Sequence, residues 1–253
     1  MIDAHLHIGR DLVYDGADTT EDMLLRILES CRLDGCVVYP GNSNISKEVE
    51  RKQNGEVETL FRKYPERFFG ICQVNPNYER EEYLEEISDY KRRGFRGINV
   101  NPQIHGWDPL SHHGEVVFSA AEEAGMPLFI NVGIGLPLGQ PVRLIGLCQK
   151  YEDVPVVLVH ASKSYCGSQC DVVARECPNV YLETSLGPNM RLLKKYVGSY
   201  GAHRVIMGSC YPEHVEHSLY CLEHCGISSE EMDWVGRKTI LRVFGEERGT
   251  ESC

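Results

Sequence analysis

Short apolar runs alternate along this chain with longer amphipathic ones. The apolar runs are Met1–Ile8, Gly35–Pro40, Phe68–Val74, Arg96–Pro102, Pro127–Val132, Val154–Ser162, Val180–Ser185 and Arg204–Ser209. They are rich in Val, Ile and Phe, as strands buried on both faces are. Between them the apolar period lengthens. Thr20–Leu33 places Met23, Leu24, Ile27, Leu28 and Cys31 on one stripe of a helix. Asp18, with Glu21 three residues later, predicts a capping box ahead of it. Ala120, Ala121 and Ala124 give another helix a small-residue face, and Gly125-Met126-Pro127 stops it. Further helices are predicted near Lys47–Tyr64, Arg80–Arg93, Pro141–Tyr151, Ser168–Cys177, Met190–Tyr200 and Val215–Cys225, with a last one over Ser229–Phe244.

Eight strands, each followed by a helix, imply an α/β protein with a parallel sheet and right-handed crossovers. At 253 residues the pattern predicts a closed (β/α)₈, TIM-like barrel. An open doubly wound sheet is the alternative. It would place a Gly-rich phosphate loop after the first strand, where this chain reads Gly9-Arg10-Asp11-Leu12. No repeat, low-complexity tract or linker divides the sequence, which predicts a single domain over 1–253.

Charge narrows the partners. Lys and Arg total 26 and Asp and Glu 37, a net charge of −11. Nucleic acid and anionic membrane surfaces are therefore not the expected partners, and a small-molecule substrate is. Met1-Ile2-Asp3-Ala4-His5 has neither the basic nor the apolar region of a secretory signal, and no apolar run reaches transmembrane length. The expectation is a cytoplasmic protein whose 11 cysteines are reduced thiols. An odd count and the lack of any Cys-x-x-Cys pair argue against a disulfide framework or a zinc ribbon. Cys166 and Cys170, like Cys221 and Cys225, are spaced to share a helix face, and packing is the expected role of both pairs.

A barrel carries its chemistry at the C-terminal ends of its strands. There the sequence offers Asp3, His5 and His7, then Asn99 and Asn101, Asn131, His160, Glu183 and Ser185, and Gly208-Ser209-Cys210-Tyr211-Pro212. Residues two apart on a strand face the same way. His5 and His7 are thus either a chelate for a borderline metal such as zinc or a pair satisfied by neighbouring hydrogen bonds. His160 ends the run Val156-Val157-Leu158-Val159. It is either a buried, satisfied core residue or a group facing metal or substrate.

The opening Ile2-Asp3-Ala4-His5-Leu6-His7-Ile8-Gly9 resembles that of the amidohydrolase superfamily. Gly94–Ile98, Gly125–Ile130, Val159-His160-Ala161, Asn179–Ser185 and Arg204–Ser209 resemble its amidohydrolase-2 branch, which includes enzymes like aminocarboxymuconate-semialdehyde decarboxylase. The resemblance runs nearly end to end. It implies a distorted (β/α)₈ barrel with a metal site, and hydrolysis of C–N or C–O bonds by metal-activated water, or non-oxidative decarboxylation. It assigns His5 and His7 to the metal, and His160 to the metal or to orienting water or substrate. Two positions depart from the family. Asn131 stands where a histidine is usual, and Cys210 where an aspartate follows Gly-Ser.

A thiolate is a sound zinc ligand, so Cys210 is a candidate ligand or nucleophile, with a small buried packing residue as the plain alternative. Asn131 can hold a substrate oxygen. Asp3 can orient a ligand histidine or simply pair with the backbone near the strand start. Glu213 and His214 follow Cys210 closely enough to be considered as a displaced acid and base, or are ordinary polar groups of the surface. The segment Asn101–His113 carries His105 and Trp107 and is where substrate specificity is expected. The resulting expectation has His5, His7, His160 and Cys210 on one Zn²⁺, His160 and Cys210 as catalytic groups, and Asn131, Asn101, His105 and Trp107 against substrate. The lack of a lysine at the end of the fourth strand favours one ion over a bridged pair. The competing reading is a degenerate barrel that binds a ligand without turnover. A homodimer is the commonest closed assembly for such a chain.

Overall fold

The computed structural model describes residues 1–13, 17–42, 46–133, 137–163 and 166–246. Its strands are β1 (Ile2–Arg10), β2 (Asp18–Thr19), β3 (Gly35–Pro40), β4 (Phe68–Gly70), β5 (Cys72–Gln73), β6 (Ile98–Val100), β7 (Leu128–Asn131), β8 (Val156–Val159), β9 (Val180–Glu183) and β10 (Val205–Ile206). The helices are α1 (Glu21–Ser30), α2 (Lys47–Lys63), α3 (Arg80–Arg93), α4 (Pro102–His105), α5 (His112–Ala124), α6 (Ile145–Lys150), α7 (Gly167–Glu176), α8 (Met190–Tyr200), α9 (Val215–His224), α10 (Ser229–Asp233) and α11 (Thr239–Val243).

β1, β3 and β4 pair in parallel, and so do β5 to β10 in chain order. β4 and β5 flank Ile71 and form one barrel strand: Ile71 N–H donates to Val38 O on one side and Cys72 N–H to Gly97 O on the other. The ring closes where β10 runs on beside β1. Ala4 N–H donates to Met207 O (3.0 Å), His7 N–H to Cys210 O (3.1 Å) and Cys210 N–H to His5 O (2.6 Å). All eight predicted strands are therefore present, in a closed barrel.

Two apolar layers follow from strand periodicity. Ile2, Ala4, Val37, Tyr39, Ile71, Phe129, Val157, Val159 and Ile206 fill the barrel, together with Ile240 and Val243 of α11. The alternate residues, such as Leu6, Val38, Leu128 and Leu158, join the helix-facing core. Burial of this kind is worth about 1.5–3 kcal/mol for each large apolar side chain.

Local predictions needed revision where side-chain chemistry competes with period. The cap of α1 is Thr20, whose Oγ1 accepts from Met23 N–H, and Asp18 instead pairs in β2 with Arg10. A residue committed to a ladder cannot also cap a helix. The helix expected from Pro141 starts as a 3₁₀ turn over Pro141–Leu144 before α6. The last predicted helix is interrupted by a π turn at Trp234–Lys238 between α10 and α11. The long connection after β6 is not a bare loop, since α4 lies within it, capped by Asn101.

Candidate metal centre and active site

β1 sets the first two imidazoles. Its register with β3 runs Asp3↔Cys36 and then Leu6↔Val38, so one extra residue is accommodated on β1 between these pairs. Such bulges re-aim side chains beside functional sites. Here Ala4 and His5 occupy the irregular step, and the ladder resumes at Leu6, which sets His7 opposite Tyr39. His5 Nε2 and His7 Nε2 lie 3.1 Å apart, both residues buried. His7 Nδ1 is 2.7 Å from Pro40 O. A carbonyl only accepts, so Nδ1 carries the proton and Nε2 presents a lone pair. Burial first, and then His5, push the His7 imidazolium down to about 3, so the ring is neutral at ordinary pH.

The last strand brings the sulfur. Cys210 is buried, with φ at +80°. His5, His7 and Cys210 each place one ligand atom within 4.8 Å of the others. Burial pushes the Cys210 thiol well up, with Glu183 adding to the effect and Lys163 opposing it. Gly208 precedes this corner for a steric reason, because a Cβ there would overlap Glu183 Oε1 and lie 3.0 Å from the Cβ of His5.

His160 directly follows β8, also at positive φ (+67°). Its Nδ1 is 2.6 Å from Ser185 Oγ, and its Nε2 is 3.3 Å from Asn131 Nδ2. Its backbone N–H donates to Glu183 Oε2 (2.9 Å). Burial, followed by His5 and Lys163, lowers the imidazolium pKa well below its ordinary value. Ser185 donates its hydroxyl to Glu183 Oε2 (2.8 Å) and its N–H to Glu183 Oε1 (2.7 Å). His5 Nδ1 reaches Ser185 Oγ at 3.2 Å and Glu183 Oε2 at 3.7 Å.

The four expected ligands do not form one cluster. His5, His7 and Cys210 make one group, while His160 groups with His5 and Glu183. Glu183 thus joins the candidate ligands, a role that its position at a strand end did not by itself assign. Its signal in the sequence is that it stands two before Ser185 in the apolar run Val180–Ser185, whose strand period would put both on one face. No hydrogen bond among the described residues joins Asp3 to an imidazole. Its Oδ1 accepts from the His5 and Ser209 N–H groups, and its Oδ2 from Ser209 Oγ at 2.5 Å. Burial pushes its carboxyl up to about 7.

Among the substrate candidates, Asn131 alone contacts the imidazoles, and its Oδ1 is buried with no partner among the described residues. Asn101 Oδ1 caps α4, accepting from Gln103 and Ile104 N–H. His105 is buried and neutral, its pKa brought down to about 4 by desolvation. Neither of its ring nitrogens has a partner among the described residues, nor does Trp107 Nε1 or Asn101 Nδ2. No hydrogen bond among the described residues joins these three to the histidines. Glu213 and His214 form a 3₁₀ turn after Cys210. Tyr39 and Tyr211 complete the walls, with ring centroids 4.0 Å from His5 and 5.4 Å from His7 respectively. Tyr211 OH is fixed by Asp11, which also holds Asn42. No described helix is long and apolar enough to cross a membrane.

No curated protein sequence matches the chain. Solved structures share its fold. 5-Carboxyvanillate decarboxylase from Sphingomonas paucimobilis aligns with a TM-score of 0.76 at 16% identity, over 97% of this chain and 98% of that one. A dihydroxybenzoic acid decarboxylase from Polaromonas, solved with manganese and 2-nitroresorcinol, gives 0.78 at 16% identity, over 98% and 97%. A probable 2-pyrone-4,6-dicarboxylic acid hydrolase from Acinetobacter baumannii gives 0.70 at 15% identity, over 96% and 98%. At such identities the likeness speaks for the barrel alone. The family model described as Amidohydrolase matches residues 2–214, and on that match this chain belongs to the amidohydrolase family.

Proposed function

We propose that the protein is a mononuclear, metal-dependent hydrolase acting on a C–N or C–O bond of a small organic substrate. The observation that carries this reading is the convergence of a ring nitrogen of His5, a ring nitrogen of His7 and Cys210 Sγ, all buried at the C-terminal end of the barrel. Two imidazoles and a thiolate suit zinc, and Cys210 would occupy the place of the usual aspartate. When bound, a divalent metal supplies Lewis acidity and lowers the pKa of water towards ~7.

The chain's own residues supply the rest. His160, kept neutral by burial, accepts a hydrogen bond from the Asn131 amide at Nε2 and so orients that amide at the site. The Asn131 amide, with an unsatisfied Oδ1, is positioned to hold a polar group of the substrate. His105, Trp107 and Asn101 carry buried polar atoms that a substrate would satisfy.

Protein purified without added metal should contain close to one equivalent of zinc or another divalent ion, and the His5→Ala/His7→Ala double variant should lose it. Cys210→Asp should keep the metal and Cys210→Ala should weaken it. A metal-free wild type that folds normally would overturn the reading in favour of a ligand-binding barrel without turnover. Decarboxylation is the second reading, and the names of two structural neighbours favour it. Release of CO₂ from aromatic carboxylates, without hydrolysis of esters, amides or lactones, would establish it instead.

A further inference from the structure

We infer that Ser185 is a positioning residue, a single hydroxyl that fixes the tautomer of two histidines at once. The inference rests on the proposed metal centre only for its consequence, not for its geometry. Ser185 Oγ lies 2.8 Å from Glu183 Oε2, 2.6 Å from His160 Nδ1 and 3.2 Å from His5 Nδ1. A hydroxyl has one hydrogen and two lone pairs. Glu183 accepts at each of its other contacts, from His160 N–H at Oε2 and from Ser185 N–H at Oε1. The serine hydrogen therefore goes to the carboxylate. The two remaining lone pairs face two imidazole nitrogens, and both nitrogens must donate.

Protons are thus placed on Nδ1 of His160 and Nδ1 of His5. His5 Nε2 is left bare towards the bare Nε2 of His7, and His160 Nε2 accepts from the Asn131 amide. A free neutral histidine is not held in this form; here the hydrogen bond made by one ring nitrogen dictates the role of the other. Two facing lone pairs 3.1 Å apart repel unless a cation or a shared proton lies between them. The Ser185–Glu183 pair thereby makes the first strand receptive to metal from the end of β9, two strands round the barrel, without touching the metal itself.

The test reads tautomers directly. Imidazole ¹⁵N shifts and long-range couplings are recorded for chelator-treated wild type, Ser185→Ala and Ser185→Thr. Wild type should show Nδ1–H for His5, His7 and His160. In Ser185→Ala, His5 and His160 should lose that preference, while His7, held by Pro40 O, keeps it and reports an intact fold. Ser185→Thr retains the hydroxyl and should restore both. Zinc affinity should fall about 10- to 100-fold in Ser185→Ala and recover in Ser185→Thr. Unchanged tautomers in Ser185→Ala would overturn the inference even if wild type binds zinc. Tautomers that change in Ser185→Ala, with a wild type that takes up no zinc, would sustain it and overturn the metal centre alone.

Discussion

Cys210 and His160 hold side chains at the site from backbone conformations that L-residues avoid, with φ at +80° and +67°. Each such residue costs roughly 1–3 kcal/mol, and such strain gathers where function requires it. At Cys210 the cost can be isolated. Cys210→Gly and Cys210→Ala both remove the sulfur, but only glycine is at ease at this φ. The glycine variant should therefore exceed the alanine variant by about 1 kcal/mol, or some 2–4 °C in Tm for a chain of this size, while both lose metal affinity alike. Equal melting temperatures would show that the strain is absent. The same reasoning favours Cys210→Asp as a functional replacement, since Asp tolerates positive φ better than most residues and offers an anionic ligand.

At the scale of elements, α2 carries a buried acid that departs from its amphipathic pattern. Glu50 is only 6% exposed. Burial pushes its carboxyl up to about 8, and neighbouring Glu86 adds to this, against hydrogen bonds from Asn75 and Tyr78. A carboxyl raised on folding is favoured protonated. Its contribution is fully present below the unfolded value near 4.5 and is lost as pH rises through 8. Wild-type stability should therefore decline across pH 5 to 8, by on the order of 4 kcal/mol at most from this group. Glu50→Gln should flatten that slope and melt higher than wild type at pH 8, as pH-resolved thermal scans would show. A parallel pH profile in the variant would assign the decline to another group.

What could be read along the chain follows the same division. The strands were legible because buried parallel strands are apolar from end to end. His5 and His7 were legible because a strand repeats every two residues. The split of His160 away from His7 and Cys210 was not, because a strand end specifies the rim of the barrel but not the direction in which a ring points across it. Glu183 and Ser185 acquire their roles only when β9 is laid beside β8. Asp18 was misread as a cap because its pairing with Arg10 depends on where the β1 strand stops.

Across the whole molecule, the site is built where the two ends of the barrel ladder meet. β10 has only two residues, so the closing seam leans on Asp3, which holds Ser209 through both its hydroxyl (2.5 Å) and its N–H (3.1 Å). That contact spans more than 200 residues of chain and fixes the stretch between His5 and Cys210. Ser209→Ala removes the hydroxyl and leaves a buried carboxyl short of a donor, which should cost about 1–3 kcal/mol. If the seam closes the barrel, the loss is global: Tm should fall by several degrees, and amide exchange should rise together in β1, β3 and β9. Metal affinity should drop as well, because His5 and Cys210 lose their common support. If exchange rises only around Val205–Cys210 while Tm stays unchanged, the last strand is a detachable edge, and the barrel stands without its closing contact.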